Sequence, residues 1–291
     1  MAVSDTRELH AEAVRLGRET YLDPDTGYQV ITELGHLRRG KCCGCGCRHC
    51  PFEHENVPQP ASAERVQQPA LINAGLFRKR SCDVLFWSGG KDSYLAWLYL
   101  RRELAALDRD VALLTTFDGR SRTVAHQEIP FGRIVEQSEA LGAPLLAIPL
   151  DPRTAYLKRI EAGLELLGRG RGIERLVFGD LHLEHIRQWR EESFAPLARA
   201  LGLRLHFPLW GLGYAELMRE FVESGASAEI TAAPFGDYGG AVRVGDSFGP
   251  DFVARLPAGV DAFGERGEFH TRVSPAGAGG PRAGGGARTA P

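Results

Sequence analysis

The chain has no apolar run of about 18 residues, the length that a membrane-crossing helix requires. Its first residues are polar and charged, so the reading includes no signal peptide, and a cytoplasmic protein is the expectation. It has almost no net charge: a formal value of −2 supplies no overall field for nucleic acid and leaves only a local basic patch to attract it. Two common phosphate-binding signatures are missing as well. At the one loop that resembles them, Leu85 stands where a Walker loop needs its first glycine, and Asp92 follows the lysine in place of Ser or Thr. The Gly-x-Gly-x-x-Gly dinucleotide fingerprint is absent. Cysteine is scarce outside one short stretch: five of six lie between residues 42 and 50, and Cys82 alone lies elsewhere.

What is present at that loop is specific. Ser88-Gly89-Gly90-Lys91-Asp92-Ser93 follows the apolar run Val84–Trp87 and precedes Tyr94-Leu95-Ala96-Trp97. A buried strand, a glycine turn and a helix start therefore follow one another without a gap. That order aims backbone N–H groups and the positive end of a helix dipole at one point beyond the strand. The glycines allow a sharp turn and close approach of an anion. Ser88 and Ser93 add hydroxyl donors, Lys91 a mobile cation, and Asp92 a carboxylate suited to magnesium. The expected guest is a di- or triphosphate. A plain strand-to-helix turn would need none of these polar side chains.

The cysteine stretch, Cys42-Cys43-Gly44-Cys45-Gly46-Cys47-Arg48-His49-Cys50, suggests metal ligation rather than disulfides in a reducing compartment. Zinc is the first expectation and an iron–sulfur cluster the alternative. Cys42 or Cys43, Cys47 and Cys50 are the expected ligands, completed by His49 or Cys45; a metal-free redox patch is the competing reading. Before it, residues 5–18 show helical periodicity, and Tyr21-Leu22 with residues 28–32 form a hairpin pattern. So small a unit, residues 1–54, needs a metal to hold it together. The run from Gly40 to Phe52 resembles a short cysteine-rich bacterial domain of uncharacterised function. Residues 55–80, rich in proline and glutamine at the start, are expected to be a linker.

From Ser81 strand and helix patterns alternate, which predicts an α/β fold with a parallel sheet. Strands are expected at 84–87, 111–116, 145–149, 176–179 and 203–207, and helices at 93–106, 132–141, 152–167, 184–201 and 213–225. The ligand crevice then lies at the strands' C-terminal ends, formed by 88–93, 115–118, 179–182 and 208–210. Thr115 and Phe117 are expected near the adenine, with Phe117 either a stacking face or a core filler. A strand is expected at 226–232 and a short helix at 250–256. The segment Gly264-Glu265-Arg266-Gly267-Glu268-Phe269-His270-Thr271 suits a charged substrate, a metal or proton transfer. Residues 274–291, of Gly, Ala and Pro with two arginines, are expected to be disordered.

The loop at 88–93 resembles the PP-loop of ATP pyrophosphatases. Together with Gly179-Asp180-Leu181, Arg187 and Glu191, Pro208-Leu209-Trp210, and the 264–271 segment, it resembles the diphthine–ammonia ligase family, in particular its bacterial branch. The resemblance implies an adenine nucleotide alpha hydrolase-like domain (81–212) and a smaller substrate subdomain (213–273). It implies AMP-forming amide ligation: a carboxylate takes AMP from ATP, pyrophosphate leaves, and ammonia or an amine displaces AMP. At His185, Trp189 and Ala262-Phe263 the chain departs from the family pattern, so the expected acceptor is a carboxylate other than diphthine.

The roles expected on this reading are specific to each residue. Ser88, Gly89, Gly90, Lys91 and Ser93 hold phosphates. Asp92 and Asp180, with Gly179 beside them, position magnesium. Arg187 holds a carboxylate or the α-phosphate, and Glu265, Glu268 and His270 bind substrate or take a proton. The competing functions are transfer-RNA thiolation, which normally needs cysteines in the ATP domain, and a non-catalytic ATP sensor. Whether the chain forms a homodimer is left open by the sequence.

Overall fold

The computed structural model describes residues 6–24, 29–42, 47–56, 66–124, 129–151, 153–233, 238 and 240–276. At the N-terminal end, helix α1 (Thr6–Arg15) leads to an antiparallel hairpin, β1 (Thr20–Leu22) with β2 (Gln29–Ile31), and then to α2 (Glu33–Arg39). α1 stops earlier than its periodicity predicts because Gly17 turns left-handed at φ 67°. Thr32 closes the unit: its hydroxyl donates to the carbonyl of Arg18 and accepts from the amide of Gly35, capping α2. Its amide donates to Glu19 O at 2.7 Å, so residues 18 and 19 are pinned beside the start of α2.

The main sheet is built from β3 (Ala70–Ile72), β4 (Ser81–Phe86), β5 (Arg109–Asp118), β8 (Leu145–Leu150), β9 (Gly172–Val177) and β10 (Arg204–His206). A two-residue pair, β6 (Thr123–Val124) with β7 (Ile129–Pro130), lies between β5 and β8 in the chain. The helices between the strands are α3 (Lys91–Leu104), α4 (Phe131–Leu141), α5 (Tyr156–Gly168) and α6 (Glu184–Leu201). The strand order is β10-β9-β4-β5-β8-β3; all neighbours run parallel except β3 against β8. This is the expected α/β class with a mostly parallel sheet. β4 is the first parallel strand and sits centrally, with β5 on one side and β9 on the other, so the winding reverses there and opens a crevice at its C-terminal end. Val84 and Leu85 are fully buried on opposite faces, as a strand covered by helices on both sides requires.

One sequence expectation is corrected here. Residues 70–72, assigned to a linker, pair with β8 as the antiparallel edge strand, Leu71 opposite Leu146. Within that stretch, residues 57–65 lie outside the described residues.

The chain continues through α7 (Tyr214–Glu223), β11 (Ser227–Ala232), α8 (Pro250–Ala254) and β12 (His270–Ser274). β12 pairs antiparallel with β11, Ser274 opposite Ser227, so order extends past the expected start of the tail; residues 277–291 lie outside the described residues. Phe221, Phe248, Phe252, Phe263 and Phe269 are buried in one cluster with Tyr94 and Leu95 of α3. Each such ring contributes about 2–3 kcal/mol relative to exposure, enough to hold the C-terminal segment against the helix that begins at the glycine loop. Among the described residues no helix is long and apolar enough to cross a membrane.

Candidate active site

The glycine loop leaves β4 and enters α3 as the sequence predicts. Gly90 is the residue before the helix, with φ −92° and ψ 174°. Ser93 Oγ donates to Gly90 O at 2.9 Å and lies 3.3 Å from Ser88 Oγ, while the Gly90 amide donates to Ser88 Oγ at 3.3 Å. Gly89 adopts φ +84°, a conformation strained for any side chain, and a Cβ there would stand 2.6 Å from Ile134 Cδ1. Gly179, just beyond β9, faces the same place: a Cβ would meet the Asp92 carbonyl oxygen at 3.0 Å. The two crevice walls thus touch through backbone alone.

The loop is held from behind by a residue that sequence reasoning did not single out. Buried Gln137 of α4 accepts from Trp87 Nε1 at 2.8 Å, and its Nε2 donates to Gly89 O at 3.0 Å and Val273 O at 2.7 Å. A glutamine on the inward face of an otherwise apolar helix stripe is the one signal that could have found it.

A cleft of about 290 Å³ opens at the C-terminal ends of β4, β5 and β9. Phe86, Ser88, Asp92, Ser93, Gly179 and Asp180 line it, together with Leu114 and Thr116 of β5. The expected Thr115 and Phe117 do not line it: both are buried on the other face of β5, and Phe117 stacks on Phe131 at 4.3 Å as a core filler. Side chains alternate along a strand, so a one-residue offset reverses the face.

A second correction concerns arginine. Arg187 does not line this cleft. It pairs with Glu191 at 2.8 Å and lies 4.7 Å from the Trp210 ring centroid. Arg190 is the arginine in the cleft, its Nε 3.4 Å from Asp180 Oδ2 and its guanidinium 4.9 Å from the Phe178 ring. Three residues along a helix displace a side chain by about 4.5 Å along the axis and about 60° around it, and that displacement carries the arginine into the crevice.

A larger cleft of about 710 Å³ lies on the other side of Asp92. Its inner wall is Lys91, Asp92, Gly264, Glu265, Arg266 and His270, and its outer wall comes from the N-terminal unit. Asp92 and Glu265 line both clefts and mark where they meet. Lys91 is buried, with Nζ 2.9 Å from Asp92 Oδ2 and 5.4–5.5 Å from the ring centroids of Phe248, Phe263 and Phe269. Burial raises the Asp92 carboxyl above the ordinary carboxylate range, and Lys91 partly offsets this. Burial, and next the charge of Asp92, pushes Glu265 up to about 8. A carboxyl group near that value exchanges protons at neutral pH.

Glu268 has a different role from the one expected. It is buried, and its two oxygens accept from the amides of Asp261 and Arg266 at 3.0 and 2.9 Å, so it folds the loop that carries Glu265. Asp261 does the same from the other end. It accepts from the amides of Phe263 and Glu265 and from Tyr214 Oη at 2.7–2.8 Å. Burial opposes ionisation of Asp261, and these hydrogen bonds hold its pKa below the usual value. His182 precedes α6 and its Nε2 lies 3.1 Å from Tyr214 Oη, whereas His185 is in the larger cleft.

Two metal expectations can be tested on geometry. Asp92 Oδ1 is buried with no hydrogen-bond partner, an arrangement that suits a divalent cation. Among the described residues no three His, Cys, Asp or Glu side chains converge on one point, so a cation there would take its other ligands from phosphate oxygens and water, as magnesium does. In the cysteine stretch, Cys42 Sγ and Cys50 Sγ are 3.8 Å apart. That matches the edge of a tetrahedron with metal–sulfur bonds of about 2.3 Å. His49 directs Nε2 to Tyr21 Oη at 2.9 Å and stacks on His10 at 3.8 Å. Cys47 and His49 do not form a three-ligand group with Cys42 and Cys50, and Cys43 and Cys45 lie outside the described residues. Cys82 is fully buried in β4, and burial pushes its thiol up to about 12, which keeps it unreactive.

Comparison with known proteins adds two findings. A family of unknown function (DUF5522) matches residues 9–56, the cysteine-rich unit. Among solved structures the chain is similar to a predicted subunit of a tRNA methyltransferase from Methanocaldococcus jannaschii. The identity is 19%, with 68% of this chain and 97% of that one covered at a TM-score of 0.34.

Proposed function

We propose that this chain is an ATP-dependent, AMP-forming ligase that activates a carboxylate and passes it to ammonia or an amine. The observation that supports it is the meeting of two clefts at Asp92 and Glu265. The smaller cleft has the features of a nucleotide site: a helix N-terminus, glycines that admit backbone N–H groups, two serine hydroxyls and an arginine. The larger has room for an acceptor. A nucleotide with its phosphates on the glycine loop presents its α-phosphorus near that junction, open to attack from the acceptor side.

The steps balance as follows. An acceptor carboxylate oxygen bonds to the α-phosphorus as the bond to the β-phosphate oxygen breaks, and pyrophosphate leaves. Ammonia or an amine then attacks the acyl carbon, AMP departs with the acyl oxygen, and the proton lost from nitrogen passes to the Glu265 carboxylate. Loop amides, Ser88 and Ser93 stabilise the departing pyrophosphate, and Arg190 neutralises charge at the nucleotide. Asp92 Oδ1, with Asp180 close by, would hold magnesium, which screens phosphate charge and polarises the α-phosphate. Lys91, caged by three phenylalanines, fixes the Asp92 carboxylate. In the N-terminal unit, Cys42 and Cys50 would supply two thiolates to zinc. The inert Cys82 supplies no nucleophile for a thiolation reaction, which favours ligation over it.

The test is product analysis. Purified protein with Mg·ATP, ammonium and a pool of metabolite acids should yield AMP and pyrophosphate, and Asp92→Ala should abolish both. ADP with orthophosphate as the products, or unchanged turnover in Asp92→Ala, contradicts the proposal.

A further inference from the structure

The cysteine-rich unit does not stand apart from the catalytic machinery. Its hairpin and α2 form the outer wall of the larger cleft, facing the loop that carries Glu265. Glu19, Gly35, Arg38 and Arg39 of this unit also border a small pocket with Ala232, Gly267 and His270, so the two parts are close along a continuous edge. The charges in the cleft are unevenly distributed. At the inner end stand the two carboxyls, Asp92 and Glu265, and Asp92 is already paired with Lys91. Farther out, Arg18 belongs to the unit and Arg266 to the catalytic loop.

Both of these arginines are exposed, and among the described residues neither guanidinium has an ion-pair or hydrogen-bond partner. Glu19, the carboxylate next to Arg18, is paired with Arg38 instead. Arg18 is nevertheless held by its backbone: its amide donates to Ala13 O and its carbonyl accepts from Thr32. Arg266 is held in the same way by the Glu268 carboxylate on its amide. Two anchored backbones thus present two unpaired guanidinium groups to one cleft, next to the site where a carboxylate is to be activated. A planar fork of this kind selects carboxylate or phosphate oxygens.

We infer that the N-terminal unit forms part of the acceptor site, and that Arg18 and Arg266 bind a second anionic group, carboxylate or phosphate, on a small acceptor whose other carboxylate reaches Asp92 and Glu265. This rests on the ligase reading for the identity of the reacting end. A monoanionic acid leaves the outer arginines unused, so the site discriminates in favour of dianions. The cysteine-rich unit then acts as a specificity wall in which the Thr32 cap fixes the backbone of Arg18.

The experiment separates the two ideas. Calorimetry first measures binding of Mg·α,β-methylene-ATP to the full chain. On that complex, O-phosphoserine, glutarate and, as control, butyrate are titrated in wild type, Arg18→Gln and Arg266→Gln. Either dianion should bind, each variant should weaken it about tenfold, the worth of one charged hydrogen bond, and nucleotide affinity should stay unchanged. Butyrate should bind weakly and equally in all three. The two dianions distinguish a phosphate from a carboxylate preference. No dianion binding, or dianion binding in either variant undiminished from wild type, overturns the inference while leaving the nucleotide result intact. If the nucleotide analogue fails to bind, the ligase reading falls; the dianion titration of the free protein then decides the role of the arginines by the same criterion.

Discussion

The amide of Lys91 donates to the Thr271 hydroxyl at 3.0 Å, joining residues 180 positions apart. Lys91 is the first residue of α3, whose leading N–H groups have no partner within the helix. One of them is therefore spent on the 264–271 segment and not on an anion, and the segment is fastened to the glycine loop. Val273 N to Gly89 O at 2.9 Å repeats the fastening two residues on. Replacing Thr271 with valine keeps the shape and removes the acceptor. Urea unfolding should show a loss of about 1–3 kcal/mol, the cost of a buried unpaired amide.

The close approach of Gly179 to Asp92 gives a sharper test of the crevice. A methyl group there meets the backbone at the start of α3, not a flexible side chain. Gly179→Ala should fold, with circular dichroism unchanged, and should bind an ATP analogue at least about tenfold more weakly.

The two arginines of α6 are expected to separate. Arg190→Ala should weaken nucleotide binding by about tenfold or more, through loss of charge beside Asp180. Arg187→Ala should leave nucleotide affinity within about twofold, because its guanidinium lies against Phe207 and Trp210 outside the cleft. The reverse ranking would restore the reading made from sequence.

That contrast shows how far the site was legible in the chain itself. Local signals sufficed for the glycine loop and for α6, whose ends coincide with the predicted 184–201. They failed where the outcome depends on phase. Whether Thr115 or Thr116 faces the cleft is a matter of strand parity, and whether Arg187 or Arg190 does so is a matter of helix rotation; both are set by packing. β3 was missed because three residues beside a proline-rich stretch become a strand only through pairing with β8. Glu268 looked catalytic because its type and spacing are catalytic; its use as a backbone cap depends on how the loop closes. The position of the cysteine-rich unit over the larger cleft is a non-local fact with no local signal.

Glu265 predicts a pH dependence. Its folded pKa is raised from 4.5 to about 8, so the folded state binds more protons than the unfolded one between those values. Its contribution to stability is thus complete below about 4.5 and lost as pH rises towards about 8. Glu265→Gln should remove that part of the slope in a pH series of urea midpoints. As a proton acceptor Glu265 must be ionised, so amide formation at a fixed concentration of free amine should rise with pH across the same range, and that rise should vanish in Glu265→Gln.

For the cysteine-rich unit, elemental analysis should find about one zinc per chain, lost in Cys42→Ser or Cys50→Ser. A chelator should melt the hairpin and α2, seen as loss of protection from hydrogen exchange in 18–42. Protection in β4 and β5 should persist, since these strands have their own core.

The proposed ligase requires that the phosphates of ATP rest on the loop 88–93, in the cleft that Asp92, Ser93 and Gly179 line. Calorimetric titration with Mg·α,β-methylene-ATP tests it most directly. One site should appear in the wild type and be lost in Gly89→Ala and in Ser93→Ala, with the proteins still folded. No binding at millimolar nucleotide, or undiminished binding in both variants, would contradict it.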